Sequence, residues 1–233
     1  MVDAERRHFK ASPKLILSAL IVICIVVWWS HADTTKTWRY RMTVEVETPE
    51  GLKIGTAVKE VHLRHETSLL PDQGGSMRST GYGEAVVVDL GKRGLLFVLN
   101  NRPGYMDSYE ADIFFDTFRG KEKSGKAQLN PEDWPALVTF RNPEDMNTLQ
   151  VFSPPENLSR IDAKAALDRE FSETFGSGVH LNSIVIEVTT DPVTRGEVFK
   201  FGLSQKSIDD YFEHNRKKLK YGDPRMLSPQ SFW

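Results

Sequence analysis

Residues 38–48, WRYRMTVEVET, alternate without a break. Trp38, Tyr40, Met42, Val44 and Val46 fall on one side of the pattern. Arg39, Arg41, Thr43, Glu45 and Glu47 fall on the other. A period of two over this length predicts a β-strand with one buried face and one wet face. Pro49-Glu50-Gly51 has the composition of a turn. Leu52–Leu63 then predicts the returning strand of an antiparallel hairpin, with Gly55 a candidate bulge.

Toward the C-terminus the signals change character. Residues 66–80 contain Gly, Ser and Pro and read as loop. Gly81–Leu90 reads as a strand centred on Val86-Val87-Val88, and Gly91-Lys92-Arg93-Gly94 as a hairpin loop. Leu95–Leu99 is wholly apolar, which predicts a strand central in its sheet. Tyr105–Phe118 fits either a helix or a strand. Asn130-Pro131-Glu132-Asp133-Trp134 predicts a capped single turn. Leu137–Phe140 and Thr148–Phe152 are short strand candidates on either side of Asn142-Pro143.

A helix is predicted from Ser159 to Phe175, with Ala163, Leu167, Phe171 and Phe175 as its apolar stripe and Gly176 as its stop. Ser183–Thr190 predicts a strand that Asp191-Pro192 ends. The last helix is predicted over Lys206–Tyr221, capped by Ser207 and stopped by Gly222 and Pro224. Its acidic residues come first and Arg216, Lys217, Lys218 and Lys220 last, which suits the helix dipole. Ile208, Tyr211, Phe212 and Leu219 would form its docking face. No internal repeat is visible.

Toward the N-terminus, Leu15–Trp29 reads LILSALIVICIVVWW, with no charge and Ser18 as the one hydroxyl. Fifteen helical residues span roughly 22 Å, against a hydrocarbon layer of roughly 30 Å. Lys14 can snorkel, Trp28 and Trp29 suit the interface, and Ser30–Ala32 can extend the helix. Leu15, Ile21 and Val26 would face lipid. Arg6, Arg7, Lys10 and Lys14 precede the run and predict a cytoplasmic N-terminus. A cleaved signal peptide is the rival reading, because Ser30-His31-Ala32 before Asp33 fits a cleavage site. The paired tryptophans favour the anchor. Ile23 before Cys24 excludes a lipoprotein.

The chain has 233 residues, 30 basic and 32 acidic, and one cysteine. Setting aside the four basic and two acidic residues before the apolar run leaves the remainder at a net charge of −4 and without cysteine. That composition excludes a disulfide framework and a cysteine-based zinc site, and it gives no electrostatic reason to expect nucleic acid. The chain divides into a cytoplasmic segment 1–14, a transmembrane helix or uncleaved signal anchor 15–32, an exported domain 33–203, and an amphipathic helix with its tail 204–233.

YRMTVEVETPEG (40–51), GYGEAVVVDLG (81–91) and VHLNSIVIEVTTDPVTRG (179–196) together resemble a group of bacterial single-span membrane proteins with an exported β-rich domain. The resemblance covers about half the chain. Its motifs are strands and turns, and the group has no assigned activity. It implies the topology and carries no functional residue.

The candidate chemistry has plain alternatives. Gly120-Lys121-Glu122-Lys123-Ser124-Gly125-Lys126-Ala127 follows P-loop spacing, but Ala127 replaces the hydroxyl that would hold magnesium. His62 and His65 are three apart, which on a strand points them to opposite faces. His180 and His214 stand alone. No G-x-S-x-G is present. Ser177 between Gly176 and Gly178 reads as a helix stop. The adjacent acid pairs read as helix starts or solvated loops. Phe232-Trp233 is the kind of aromatic end that outer-membrane barrels carry, but Pro224, Pro229 and the helices exclude a barrel.

The expected fold is α+β. A mostly antiparallel sheet carries two or three helices from the second half on one face, after one N-terminal transmembrane helix. The expected protein is a non-catalytic interaction or assembly module of the bacterial envelope, single-pass in the inner membrane with a periplasmic body. Its expected partners are the bilayer and either another protein or itself, without nucleic acid, metal or cofactor. Trp38, Tyr40, Phe232 and Trp233 are the candidate contact residues. The alternatives are an exported hydrolase whose site forms only in three dimensions, and a sheet-based binder of peptide or glycan.

Overall fold

The computed structural model describes residues 12–14, 17–22, 34–66, 76–103, 109–119, 123–142, 144–152, 160–220 and 222–233. The chain forms two compact units: Met1–Thr35 with Arg64–Arg78, and Lys36–Leu63 with Ser79–Trp233. In the first unit residues 17–22 are helical, and Leu17, Leu20, Ile21 and Val22 are 52–60% exposed. Among the described residues no helix is long and apolar enough to cross a membrane.

The second unit is α+β with antiparallel sheets. One sheet has the order β3-β2-β1-β9-β6, formed by β1 (Thr34–Glu47), β2 (Lys53–Glu66), β3 (Ser76–Tyr82), β6 (Lys126–Gln128) and β9 (His180–Thr189). The other has the order β4-β5-β7-β8, formed by β4 (Val86–Asp89), β5 (Leu95–Val98), β7 (Leu137–Phe140) and β8 (Leu149–Phe152). The helices are α1 (Glu110–Thr117), α2 (Arg160–Phe175), α3 (Glu197–Lys200) and α4 (Gln205–Asn215).

The alternation in β1 is realised in full. Tyr40, Met42, Val44 and Val46 are wholly buried. Outside, Arg39 Nε donates to Glu60 at 2.7 Å, Arg41 pairs with Asp191, and Glu45 accepts from Ser183 at 2.8 Å. The turn closes between Thr48 and Gly51, whose backbone groups bond in both directions. β1 also pairs antiparallel with β9, Met42 against Ile186 and Val44 against Ile184.

The second sheet was not foreseen as a separate layer. Its inner strands β5 and β7 are buried on both faces, and β4 and β8 in part. Val86, Val88, Leu96, Val98 and Leu137 join one core with the inner face of the first sheet and with α1 and α2. Phe97, Leu99, Val138 and Phe140 join a second core with Val198, Ile208, Leu227 and Phe232 from the C-terminal region. Double burial explains the unbroken apolar runs, since neither face has water to meet. β5 lies inside this sheet, as its apolar run predicts.

The two sheets approach closely at Gly55. A Cβ there would stand 2.3 Å from the Val87 carbonyl oxygen. The glycine therefore marks a close contact between layers.

Several boundaries differ from the sequence reading. Residues 76–80 belong to β3. The described part of Tyr105–Phe118 resolves as α1, and residues 104–108 lie outside the described residues. The last helix begins after Ser204, whose side chain accepts from Ser207 N at 3.1 Å, and it ends at Asn215. Ser207 is the reciprocal partner in that capping box, not the cap. Ser159 lies outside the described residues. The 3₁₀ turn Pro131–Asp133 follows Asn130 with Pro131 at its first position, as predicted, but the Asn130 side chain does not cap it.

Candidate functional site

Three arrangements in the second unit place polar groups together: a buried cluster around Lys59, a buried carboxylate at Glu84, and two open grooves beside β8.

Lys59 shares the inner face of β2 with Gly55, Ala57 and Val61, and it is wholly buried. Its ammonium donates to Asn100 Oδ1 at 2.5 Å. The Asn100 amide donates to the Gly83 carbonyl at 2.6 Å. The Asn100 backbone N–H donates to Ser231 O, and its carbonyl accepts from Tyr109 N. One side chain and its peptide groups thus join β2, the β3–β4 link, α1 and the C-terminal tail. Gly83 packs so tightly that a Cβ would lie 3.0 Å from Lys59 Cα.

Glu110, the first residue of α1, is 2% exposed and counters the Lys59 charge. Burial nevertheless dominates and lowers the Lys59 ammonium to about 8. Tyr40 donates through Oη to the Glu110 carbonyl at 3.4 Å. Burial, then the Glu110 charge, pushes that phenol well up. Perturbed groups of this kind mark either catalysis or buried architecture. Here Lys59, Asn100 and Glu110 line neither groove, and all their identified bonds tie elements of the fold together.

Glu84 is 5% exposed. Its carboxylate accepts from the backbone N–H groups of Gly196, Glu197 and Val198, the last two at 2.7 and 3.3 Å. It closes the start of α3 from across the layer, which accounts for a buried carboxylate without chemistry.

The first groove, of about 470 Å³, is lined by Lys92, Arg93, Thr139, Arg141, Gln150 and Glu173, among others. The second, of about 600 Å³, lies between Leu149-Gln150-Val151 and Asp223-Pro224-Arg225. They share Arg141 and Gln150. Arg93 is committed to a bidentate pair with Glu50 at 2.8 Å and to the Phe175 carbonyl at the end of α2. That pairing lowers the Glu50 carboxyl to about 2. Arg225 is committed to Asp223, at 2.7 and 3.0 Å. Lys92 and Arg141 make no ion pair among the described residues.

The candidate residues from the sequence divide between surface and interior. Lys14 and Ile21 are helical and exposed, whereas Leu15, Val26, Trp28 and Trp29 lie outside the described residues. Trp38 is half-buried against Phe115, ring centroids 5.6 Å apart. Tyr40 is interior and stacks on Phe114 at 5.5 Å. The tail folds back. Phe232 is wholly buried, and its carbonyl accepts from Ala85 N at 2.9 Å. Trp233 is half-buried beside the exposed Phe199. Of the four candidate contact residues, Trp38 and Trp233 keep some exposed surface, whereas Tyr40 and Phe232 have none.

The P-loop-like segment continues into β6, which pairs with β9, where a P-loop would open a helix. Residues 120–122 lie outside the described residues. His62 bonds Glu60 at 2.9 Å and lies against Tyr82. β2 runs on to Glu66, so His65 is a strand residue on the other face rather than part of a loop. Among the described residues no group of three or more His, Cys, Asp or Glu is placed to hold a metal ion.

Sequence reasoning missed Lys59, Glu84 and Arg141. For Lys59 a signal existed: it stands mid-strand in phase with the uncharged Gly55, Ala57 and Val61, the only other lysine of that phase being Lys53 at the start of the strand. Glu84 and Arg141 carry no comparable pattern. No protein family, curated protein or solved structure matches this chain.

Proposed function

We propose that this chain is a single-pass membrane protein of the bacterial envelope whose exported body is a non-catalytic module for protein interaction or assembly. The observation that carries the reading is the uncharged run Leu15–Trp29. Its described helical residues present Leu17, Leu20, Ile21 and Val22 at 52–60% exposure. Leucine, isoleucine and valine on a helix need a covering that water does not supply, and a bilayer supplies it. Basic residues before the run orient the N-terminus to the cytoplasm. A cysteine-free body with two apolar cores suits an oxidising compartment.

The test is the intact protein in bacterial membranes, carrying at its C-terminus a reporter that works only after export. An active reporter in a fraction resistant to alkaline carbonate is the expected result. A reporter active only in the cytosol overturns the placement. A mature N-terminus at Asp33 replaces the anchor with a cleaved leader. Crosslinking in the same membranes is expected to give either self-association or one reproducible partner, and neither would remove the interaction role.

A further inference from the structure

We infer that the open edge of β8 docks an extended acidic peptide segment of a partner protein, added to the four-stranded sheet as a further strand. The inference rests on the interaction-module reading above and names the surface and the chemistry of the partner.

The register fixes which backbone groups are available. Leu99 N donates to Ala136 O, and Phe97 pairs with Val138, so Val138 turns its peptide groups toward β5. Thr139 and Leu137 therefore turn theirs toward β8, opposite Gln150 and Phe152. The Arg141 N to Thr148 O bond keeps the same phase. Leu149 and Val151 consequently aim their N–H and C=O groups away from the sheet. The Leu149 N–H closes the preceding 3₁₀ turn on Met146 O, which leaves the Leu149 C=O and both peptide groups of Val151 open among the described residues. An edge of this kind is a template for another chain, and natural edges are usually blunted by charge, proline or a bulge. β8 reads Leu-Gln-Val-Phe and has none of these, whereas β3, at the edge of the other sheet, carries Arg78.

The second groove opens along that edge, with Asp223-Pro224-Arg225 as its far wall. Its volume, about 600 Å³, is in the range of specific binding sites. Strand alternation gives the two faces of an added chain different surroundings. Leu149 and Val151 pack toward the second core, so side chains alongside them meet apolar surface. Gln150 faces Thr174, and the groove on that side carries Lys92 and Arg141. Asp223 is taken by Arg225 and Glu50 by Arg93, which leaves two cations against Glu173 alone. Apolar residues alternating with carboxylates match both faces.

The probes are two short fluorescent peptides, one alternating Val with Glu and the other Val with Lys. Each is titrated against the detergent-solubilised full chain and followed by anisotropy. Saturable binding of the Glu peptide is expected, with the Lys peptide about tenfold weaker or worse. Arg141→Glu should weaken the Glu peptide about tenfold, at unchanged melting temperature. Val151→Pro should abolish binding, because it removes an outward N–H that the β7–β8 ladder does not use. Hydrogen exchange should show new protection of the Val151 amide when the Glu peptide is bound. Equal binding of the two peptides, no saturation, indifference to Arg141→Glu, or protection of the Val151 amide by self-association alone would each overturn the proposal. None of these readings depends on membrane placement, so the reporter experiment fails or succeeds independently.

Discussion

The five-stranded sheet turns Arg39, Arg41, Glu45 and Glu187 to water and keeps its other face dry, while the four-stranded sheet has apolar side chains on both faces. The first sheet spends its charge where water and partners compensate it. The second has no such face until its β8 edge. A polar residue on a dry face is consequently costly unless every hydrogen-bonding group is met. Lys59 is the exception on the inner face of the first sheet, and it breaks the contrast most sharply. Lys59→Ala should cost about 3–5 kcal/mol, because it removes the cation that Glu110 faces and a bond to Asn100. Urea unfolding of the full chain measures it. Lys59→Met with Glu110→Gln should recover part of the loss. A loss under about 1 kcal/mol for the alanine variant would mean that the cluster is not structural.

Gly55 tests how closely the sheets meet. Its absent side chain leaves room for the Val87 carbonyl, and backbone cannot step aside as a flexible side chain can. Gly55→Val should cost about 3 kcal/mol and lower the melting temperature. Ile54, the neighbouring residue and 56% exposed, is the control: Ile54→Thr should have little effect. Equal effects at the two positions would remove the argument for a tight interlayer contact.

The same contrast explains what the sequence disclosed. β1 was legible because one wet face imposed alternation, so Tyr40, Met42, Val44 and Val46 could be assigned to the core directly. Double burial erased that signal in Leu95–Leu99 and Leu137–Phe140. The strands were visible, but a separate sheet beneath the first was not. Helix α2 showed its stripe and its glycine stop. Helix α4 carried two serines three residues apart, and hydrogen bonding, not composition, decides which one caps it. The buried cluster depends on Asn100 meeting Lys59 from 41 positions away, and no spacing rule encodes that. The grooves depend on β8 being an edge, which is a property of the assembled sheet.

Protonation offers a gentler probe of the dry face. Lys59 holds its proton with a value of about 8 when folded, against an ordinary 10.5. Between those values the unfolded chain binds a proton that the folded chain has released. Stability therefore rises with pH through this window, and the gain is lost as pH falls through 8. The buried Tyr40 phenol acts in the opposite sense above about pH 10, where the unfolded phenol ionises. The clean interval is about pH 8 to 9.5, over which the Lys59 contribution should be about 1–2 kcal/mol. Urea midpoints across that interval should rise in the native chain relative to Lys59→Met. Parallel curves would show that the ammonium is not the group responsible.

The wet face should give the smallest effect, and its smallness is what sharpens the comparison. Arg39 and Glu60 pair at 2.7 Å across β1 and β2, with the arginine side chain 41% exposed and the glutamate 20%. The Arg39 and His62 hydrogen bonds lower the Glu60 carboxyl, His62 contributing first. Water screens such a pair, and each side chain gives up rotamer freedom to make it. A double-mutant cycle of Arg39→Ala with Glu60→Ala should return a coupling of about 0.5 kcal/mol, shrinking as salt is added. His62 shares the Glu60 carboxylate, so the cycle should be repeated with His62→Ala to separate the two donors. A coupling near that of the buried Lys59–Glu110 cluster would mean that the outer face is shielded in the native protein. The distinction between a wet sheet and a dry one would then fail where it was first drawn, on the alternating residues of β1.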